Sequence, residues 1–178
     1  MKSLPRVFYG RNTKIVARQL LGKYLIRNIG RRKLIGKIVE TEAYFQDDPA
    51  SHSFKGKTER SAPMFEDPGH AYVYFIYGNH YCLNAVTEKF GTAGAVLIRA
   101  IEPIRGIKLP TNGPGKLTRA FKIDKKFNRA DLTKGNLVIA EGKRERYNIV
   151  STKRIGISRA SDKLYRFYIK GNKYVSKV

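Results

Sequence analysis

His70-Ala71-Tyr72-Val73-Tyr74-Phe75-Ile76-Tyr77-Gly78-Asn79-His80-Tyr81-Cys82-Leu83-Asn84 sets two runs rich in aromatic and β-branched residues on either side of a Gly-Asn pair. That composition predicts a β-hairpin closed by a two-residue turn at Gly78-Asn79, with the glycine supplying the positive φ that a tight turn demands. Alternation along a strand from Ala71 to Ile76 places Tyr72, Tyr74 and Ile76 on one face and Val73 and Phe75 on the other. Tyr77 is left at the tip, beyond the reach of strand pairing.

Working outward, residues 23–28 and 33–44 read as two further strands joined through Gly30-Arg31-Arg32, and residues 93–100 as an apolar strand that Pro103 ends. Shorter strands are expected at 136–140, 154–157 and 164–169. Asn12 or Thr13 caps a short helix that stops at Gly22, with Ile15, Val16 and Leu20 turned to the core. Gly113-Pro114-Gly115 leads into a second helix that reaches Phe121. Residues 45–69 break every periodicity and read as a long loop of the functional kind. No repeat or linker interrupts the chain. The expectation is therefore one α+β (mixed) domain over residues 1–178, centred on a sheet with helices at its periphery.

Lysine and arginine number 36 against 14 aspartate and glutamate, which gives a formal charge of +22 and a pI near 10.2. Such an excess strains a compact fold by self-repulsion unless a polyanion neutralises it, so nucleic acid or an anionic membrane surface is the expected partner. With 42% hydrophobic and 11% aromatic residues the chain is too apolar for a disordered basic tail. No apolar run is long enough to cross a bilayer, and Met1-Lys2-Ser3-Leu4-Pro5-Arg6 lacks the apolar core of a signal peptide, so a cytoplasmic location is expected. Cys82 is the single cysteine and reads as an inert buried thiol.

Several residues carry possible chemistry. In the second strand Glu40 and Glu42 share one side, near its C-terminal end. They either pair with some of the many cations or, standing where phosphates are expected, do chemistry. Arg99 interrupts an apolar strand and needs a partner; Glu102 is near in sequence, and Glu40 or Glu42 lies across the sheet. His52 sits in the long loop as either a surface residue or a site residue, beside Lys55, Lys57 and Arg60 as candidate phosphate contacts. Tyr77 either packs on a neighbouring loop or acts as a wedge entering a nucleic-acid stack. The three histidines and Cys82 show no paired metal-ligand spacing, Gly115-Lys116 is followed by leucine and so is no phosphate-binding P-loop, and no nucleophile elbow is present. A basic surface, a tip aromatic, several tyrosines and one or two carboxylates together fit an enzyme that extrudes a base and cuts its N-glycosidic bond, without a cofactor or metal. A non-catalytic nucleic-acid-binding protein shares the basicity and aromatics. A nuclease would need carboxylates clustered around a metal.

Val39-Glu40-Thr41-Glu42-Ala43-Tyr44, Asp48-Pro49-Ala50-Ser51-His52, the stretch from Pro68 to Gly78, Cys82-Leu83-Asn84, the stretch from Val96 to Pro103 and Gly113-Pro114-Gly115-Lys116-Leu117 resemble the alkyladenine, or 3-methyladenine, DNA glycosylase family. The likeness continues through Arg154-Ile155-Gly156-Ile157 and Arg166-Phe167-Tyr168-Ile169, so it spans nearly the whole chain. It departs from the usual pattern at Ser61 and Lys122. The resemblance implies a curved, mainly antiparallel sheet with a protruding hairpin pressed into the minor groove of lesion-containing double-stranded DNA. It implies a monofunctional hydrolase, acting as a monomer with no cofactor at the nucleoid, that repairs DNA by base excision. In that reading Glu42 activates water and Arg99 helps to hold the site. Tyr44, His52 and Tyr74 enclose the flipped purine and Asn84 forms the floor. Tyr77 is the DNA-intercalating residue, with Leu97 packed close to it.

Overall fold

A computed structural model of the chain describes residues 1–76, 78–143 and 145–177; Tyr77, the expected wedge, lies outside the described residues. The strand-forming runs build β1 (Tyr24–Ile29), β2 (Arg32–Phe45), β3 (Ala71–Ile76), β4 (His80–Val86), β5 (Gly94–Arg105), β6 (Leu137–Ala140), β7 (Ile149–Thr152) and β8 (Arg166–Ile169). Every pairing among them is antiparallel, in the order β3-β4-β5-β2-β1-β6, with β8 added to β2 and β7 to β8. The mixed α+β class expected from the sequence is the one observed.

β2 organises the sheet. Its 14 residues pair with β5 along one edge and with β1 and then β8 along the other. Opposite β5 the register slips three times, which leaves Val39 on β2 and Arg99 and Ile104 on β5 as extra, unpaired residues. Bulges of this kind bend a strand and increase its twist, and they curve this sheet. Gly36 lies beside one slip because a Cβ there would stand 2.2 Å from Ile101 Cγ2.

One face of the sheet carries the core. α1 (Arg6–Tyr9), α2 (Thr13–Leu20) and α3 (Pro114–Phe121) bring Tyr9, Val16, Leu20, Leu117 and Phe121 onto Ile38, Leu83, Ile98 and Phe167, all fully buried in one cluster. Each such side chain contributes about 1.5–3 kcal/mol. Thr41 Oγ1 donates to the Ala17 carbonyl at 2.9 Å, so beyond the bulge at Val39 the odd positions of β2 face α2. Glu40 and Glu42 point to the opposite face.

Four sequence expectations change. Ile15 is 47% exposed; Asn12 caps α2, and the buried set Thr13, Val16, Ala17 and Leu20 follows helical spacing one step from the expected stripe. β5 runs through Pro103 because the Ile101 N–H points away from β2 to Thr111 O, so the proline nitrogen two residues on faces an edge that β4 does not pair. The last pair of the β3–β4 hairpin is Ile76 with His80, not the residues flanking Gly78-Asn79 directly; Gly78 does adopt a positive φ of 69°. Residues 154–157 form a loop after β7 instead of a strand.

Arg154 explains that last change. Its Nη1 binds the Asp48 carboxylate and, at 3.0 Å, the Ala43 carbonyl, while Nη2 reaches Asp48 Oδ1 at 3.0 Å. Both side chains are completely buried. The ion pair clamps the 153–157 loop onto the start of the long loop that carries His52. Removing one partner strands the other charge, so Asp48→Ala is expected to cost about 3–5 kcal/mol. Chemical denaturation read by circular dichroism measures this, and an unchanged midpoint would contradict the clamp.

Candidate active site

A single rung crosses the sheet. Tyr72 on β3 faces Asn84 on β4, Asn84 faces Leu97 on β5, Leu97 faces Glu42 on β2, and Glu42 faces Arg166 on β8. Directly opposed residues share a face, so five positions distant in sequence become neighbours. Tyr74 and Cys82 occupy the next rung between β3 and β4. Above these residues lies a cavity of about 680 Å³, whose wall includes Tyr44, His52, Tyr72, Tyr74, Asn84 and Leu97. That volume falls within the roughly 300–1,000 Å³ of small-molecule sites.

One side of the cavity is aromatic. The His52 and Tyr74 rings are edge to face at 4.6 Å, and Tyr72 and Tyr74 are 5.1 Å apart. His52 Nδ1 and the Tyr72 hydroxyl are hydrogen-bonded at 2.8 Å. Tyr72 was not among the expected site residues, although the strand alternation already placed it beside Tyr74. Asn84 is buried at the floor, its Nδ2 donating to Tyr72 O at 3.0 Å. Lys116 and Arg119 of α3, both exposed, stand at the rim, and Arg60 lies 5.4 Å over the Tyr74 ring.

Glu42 lies directly beneath the wall. It is fully buried, three residues inside a strand that continues to Phe45. Oε1 accepts from the Ile155 N–H at 2.9 Å and meets Arg99 Nη1 at 3.3 Å; Oε2 accepts from the Tyr44 hydroxyl at 2.8 Å. All three partners line the cavity. Arg99 is the extra residue of its bulge, and from there its Nε also reaches Glu40 Oε1 at 3.2 Å. The partner of Arg99 is thus both carboxylates across the sheet, while Glu102 is held by Lys37 at 2.9 Å and by Asn172.

Leu97 lies within the sheet, opposite Glu42 and Asn84. It is 3% exposed at the centre of the sheet, and Ile76 lies four residues further along β3 than Tyr72, about 13 Å away at 3.3 Å per residue. Leu97 lines the cavity. Among the described residues no group of three or more histidine, cysteine, aspartate or glutamate side chains could hold a metal.

Burial sets the electrostatics. It pushes the Glu42 carboxyl above the usual carboxylate range, against the pull of Arg99, the Ile155 N–H and the Tyr44 hydroxyl, and the charge of Glu40 adds to the push. Burial, helped by Arg60, lowers the His52 imidazole to about 4, so this ring is neutral near pH 7. Burial raises the Tyr72 hydroxyl to about 12 and also holds Tyr44 and Tyr74 protonated. The aromatic wall is uncharged and the carboxylate lies behind it. An acid raised by burial beside a cavity is the pattern of a chemical site.

The comparisons with known proteins agree with this geometry. Residues 7–173 match the family described as methylpurine-DNA glycosylase. A relative from Carboxydothermus hydrogenoformans is 52% identical over 98% of both chains, and one from Legionella pneumophila strain Lens is 51% identical over 99% of this chain and the whole of the relative. A relative from Desulfitobacterium hafniense is 45% identical over 99% of each. All three carry the name 3-methyladenine DNA glycosylase. With a match along nearly its full length and half of its residues shared with such relatives, the chain belongs to the methylpurine-DNA glycosylase family of DNA hydrolases.

Proposed function

We propose that the protein, as a monomer, flips an alkylated or deaminated purine out of double-stranded DNA into the aromatic cavity and hydrolyses its N-glycosidic bond with a water activated by Glu42. The observation that carries this reading is the buried, raised carboxylate immediately behind an uncharged aromatic wall. A carboxylate oxygen offers about four acceptor sites in all with its twin. Glu42 uses three, on Ile155, Arg99 and Tyr44, so one, on Oε2, is open to water.

In the step, the water oxygen bonds to C1′ as the C1′–N bond breaks, its proton passes to Glu42, and the bonding pair leaves with the base. The sugar becomes cationic as that bond lengthens, and the carboxylate stabilises the charge. Alkylated purines already carry positive charge, which the faces of Tyr44 and Tyr74 attract and a neutral His52 does not repel. Asn84, fixed to Tyr72 O, presents a rigid floor against the 2-amino group of normal guanine. Lys55, Lys57, Arg60, Lys116 and Arg119 serve the backbone phosphates. Tyr77 at the hairpin tip fills the space the purine leaves, entering from the minor groove.

Glu42→Gln is expected to lower base release by at least about 100-fold while duplex binding stays intact. Abasic sites in methylated duplex DNA provide the assay, and unchanged release would remove Glu42 from the chemistry. An intact but abasic strand in the presence of EDTA separates this activity from a nuclease. Because the reaction needs ionised Glu42, the rate is highest above its raised pKa and falls as pH drops through it. The acid limb of the pH–rate profile should therefore lie above the ordinary carboxylate range of about 4. A limb at or below that range would contradict the buried base. Duplex affinity is expected to fall about 10³-fold or more between 50 and 200 mM salt as neutralised phosphates release counterions, measured by fluorescence anisotropy.

A further inference from the structure

Glu40 does not line the cavity, yet it is wholly buried and both of its oxygens are hydrogen-bonded. Oε1 accepts from Arg99 Nε at 3.2 Å, Arg166 Nε at 2.7 Å and Ser176 Oγ at 2.9 Å; Oε2 accepts from the Ser176 N–H at 2.7 Å. Three of these contacts converge on Oε1 and one on Oε2, so both oxygens are held in place. Arg166 also donates through Nη2 to the Lys177 carbonyl, so the segment at 176–177 is fastened over Glu40 from both sides. So held, buried and off the cavity wall, Glu40 is not placed to exchange a proton with a bound substrate. What it does instead is hold one arm of Arg99.

We propose that Glu40, locked by Arg166 and Ser176, is a positioning residue: it divides Arg99 between two carboxylates, so that Glu42 receives one guanidinium contact instead of two and keeps an acceptor site open for water. The inference rests on Glu42 being the base. Its physical reason is the guanidinium fork, which grips a single carboxylate with two parallel bonds whenever it is free to do so. With Nε committed to Glu40, only Nη1 reaches Glu42. Released from Glu40, Arg99 would close on Glu42 bidentately, fill its last acceptor site and reduce its basicity. The other ionisable groups facing Glu42 are Tyr44 on β2, Tyr74 on β3, Cys82 on β4 and Arg154 in the 153–157 loop. None of them bonds to Arg99 among the described residues, so Glu40 alone governs this division.

The test compares wild type, Glu40→Gln, Ser176→Ala and Glu42→Gln in single-turnover base release from duplex DNA methylated with dimethyl sulfate, as a function of pH, with duplex Kd and thermal midpoint measured alongside. Glu40→Gln should lower the maximal rate about tenfold or more, leave Kd within about twofold, and move the acid limb down by about one pH unit as the full charge of Arg99 falls on Glu42. Ser176→Ala, which removes one of the four contacts and retains both carboxylates, should lower the rate several-fold in the same direction at unchanged Kd. It decides the matter if Glu40→Gln does not fold. Wild-type rates and acid limbs in the folded variants, or a rate loss that merely follows lost DNA binding, would overturn the role of Glu40. Wild-type release by Glu42→Gln would instead overturn the assignment of the base.

Discussion

Two carboxylates two residues apart on one strand face, both cut off from water, are the constraint around which this molecule is arranged. Glu40 and Glu42 stand in the C-terminal half of the long strand β2, and neither can stay ionised there without donors on every side. Arg99 and Arg166 supply the charges, the Ile155 and Ser176 N–H groups supply backbone donors, and the Tyr44 and Ser176 hydroxyls supply the rest. Those donors come from β2 itself, β5, β8, the 153–157 loop and the segment at 176. The second face of the sheet is thus covered by polar contacts aimed at two side chains, while the first is covered by helices packed on an apolar core.

The same demand shapes the backbone. Regular pairing would leave Arg99 in step with its neighbours on β5; the bulge adds it as an extra residue whose guanidinium bridges both acids. The Asp48–Arg154 pair, buried as completely, brings the loop carrying Ile155 over Glu42 and ties it to the loop carrying His52. Ion pairs of this kind add little net stability against an apolar alternative, but breaking one is costly. They hold loops in one arrangement, and these loops form the cavity.

Charge is distributed by depth. The cavity wall is aromatic and neutral, with His52 lowered and the tyrosines raised by burial, whereas the large cationic excess is carried outside, with Lys116 and Arg119 at the rim. A polyanion is drawn to the outer surface, and a cationic base is tolerated inside. The reaction proposed for the family's DNA substrate needs both conditions in one molecule.

The sequence by itself determined most of the strands but not β7, the two main helices, the basic partner preference and the residues worth watching, because alternation, capping and charge are local properties. It already set Tyr72 beside Tyr74, and its motifs named Glu42, Arg99, Tyr44, His52, Tyr74 and Asn84. Only the tertiary structure decided that Tyr72, Asn84, Leu97 and Glu42 form one rung, that Arg99 serves both acids, that Leu97 is a wall, and that Arg154 leaves strand geometry to meet Asp48. Register and bulges arise between strands far apart in the chain, and the energy of a buried charge depends on which donors arrive around it; neither is written in any one segment.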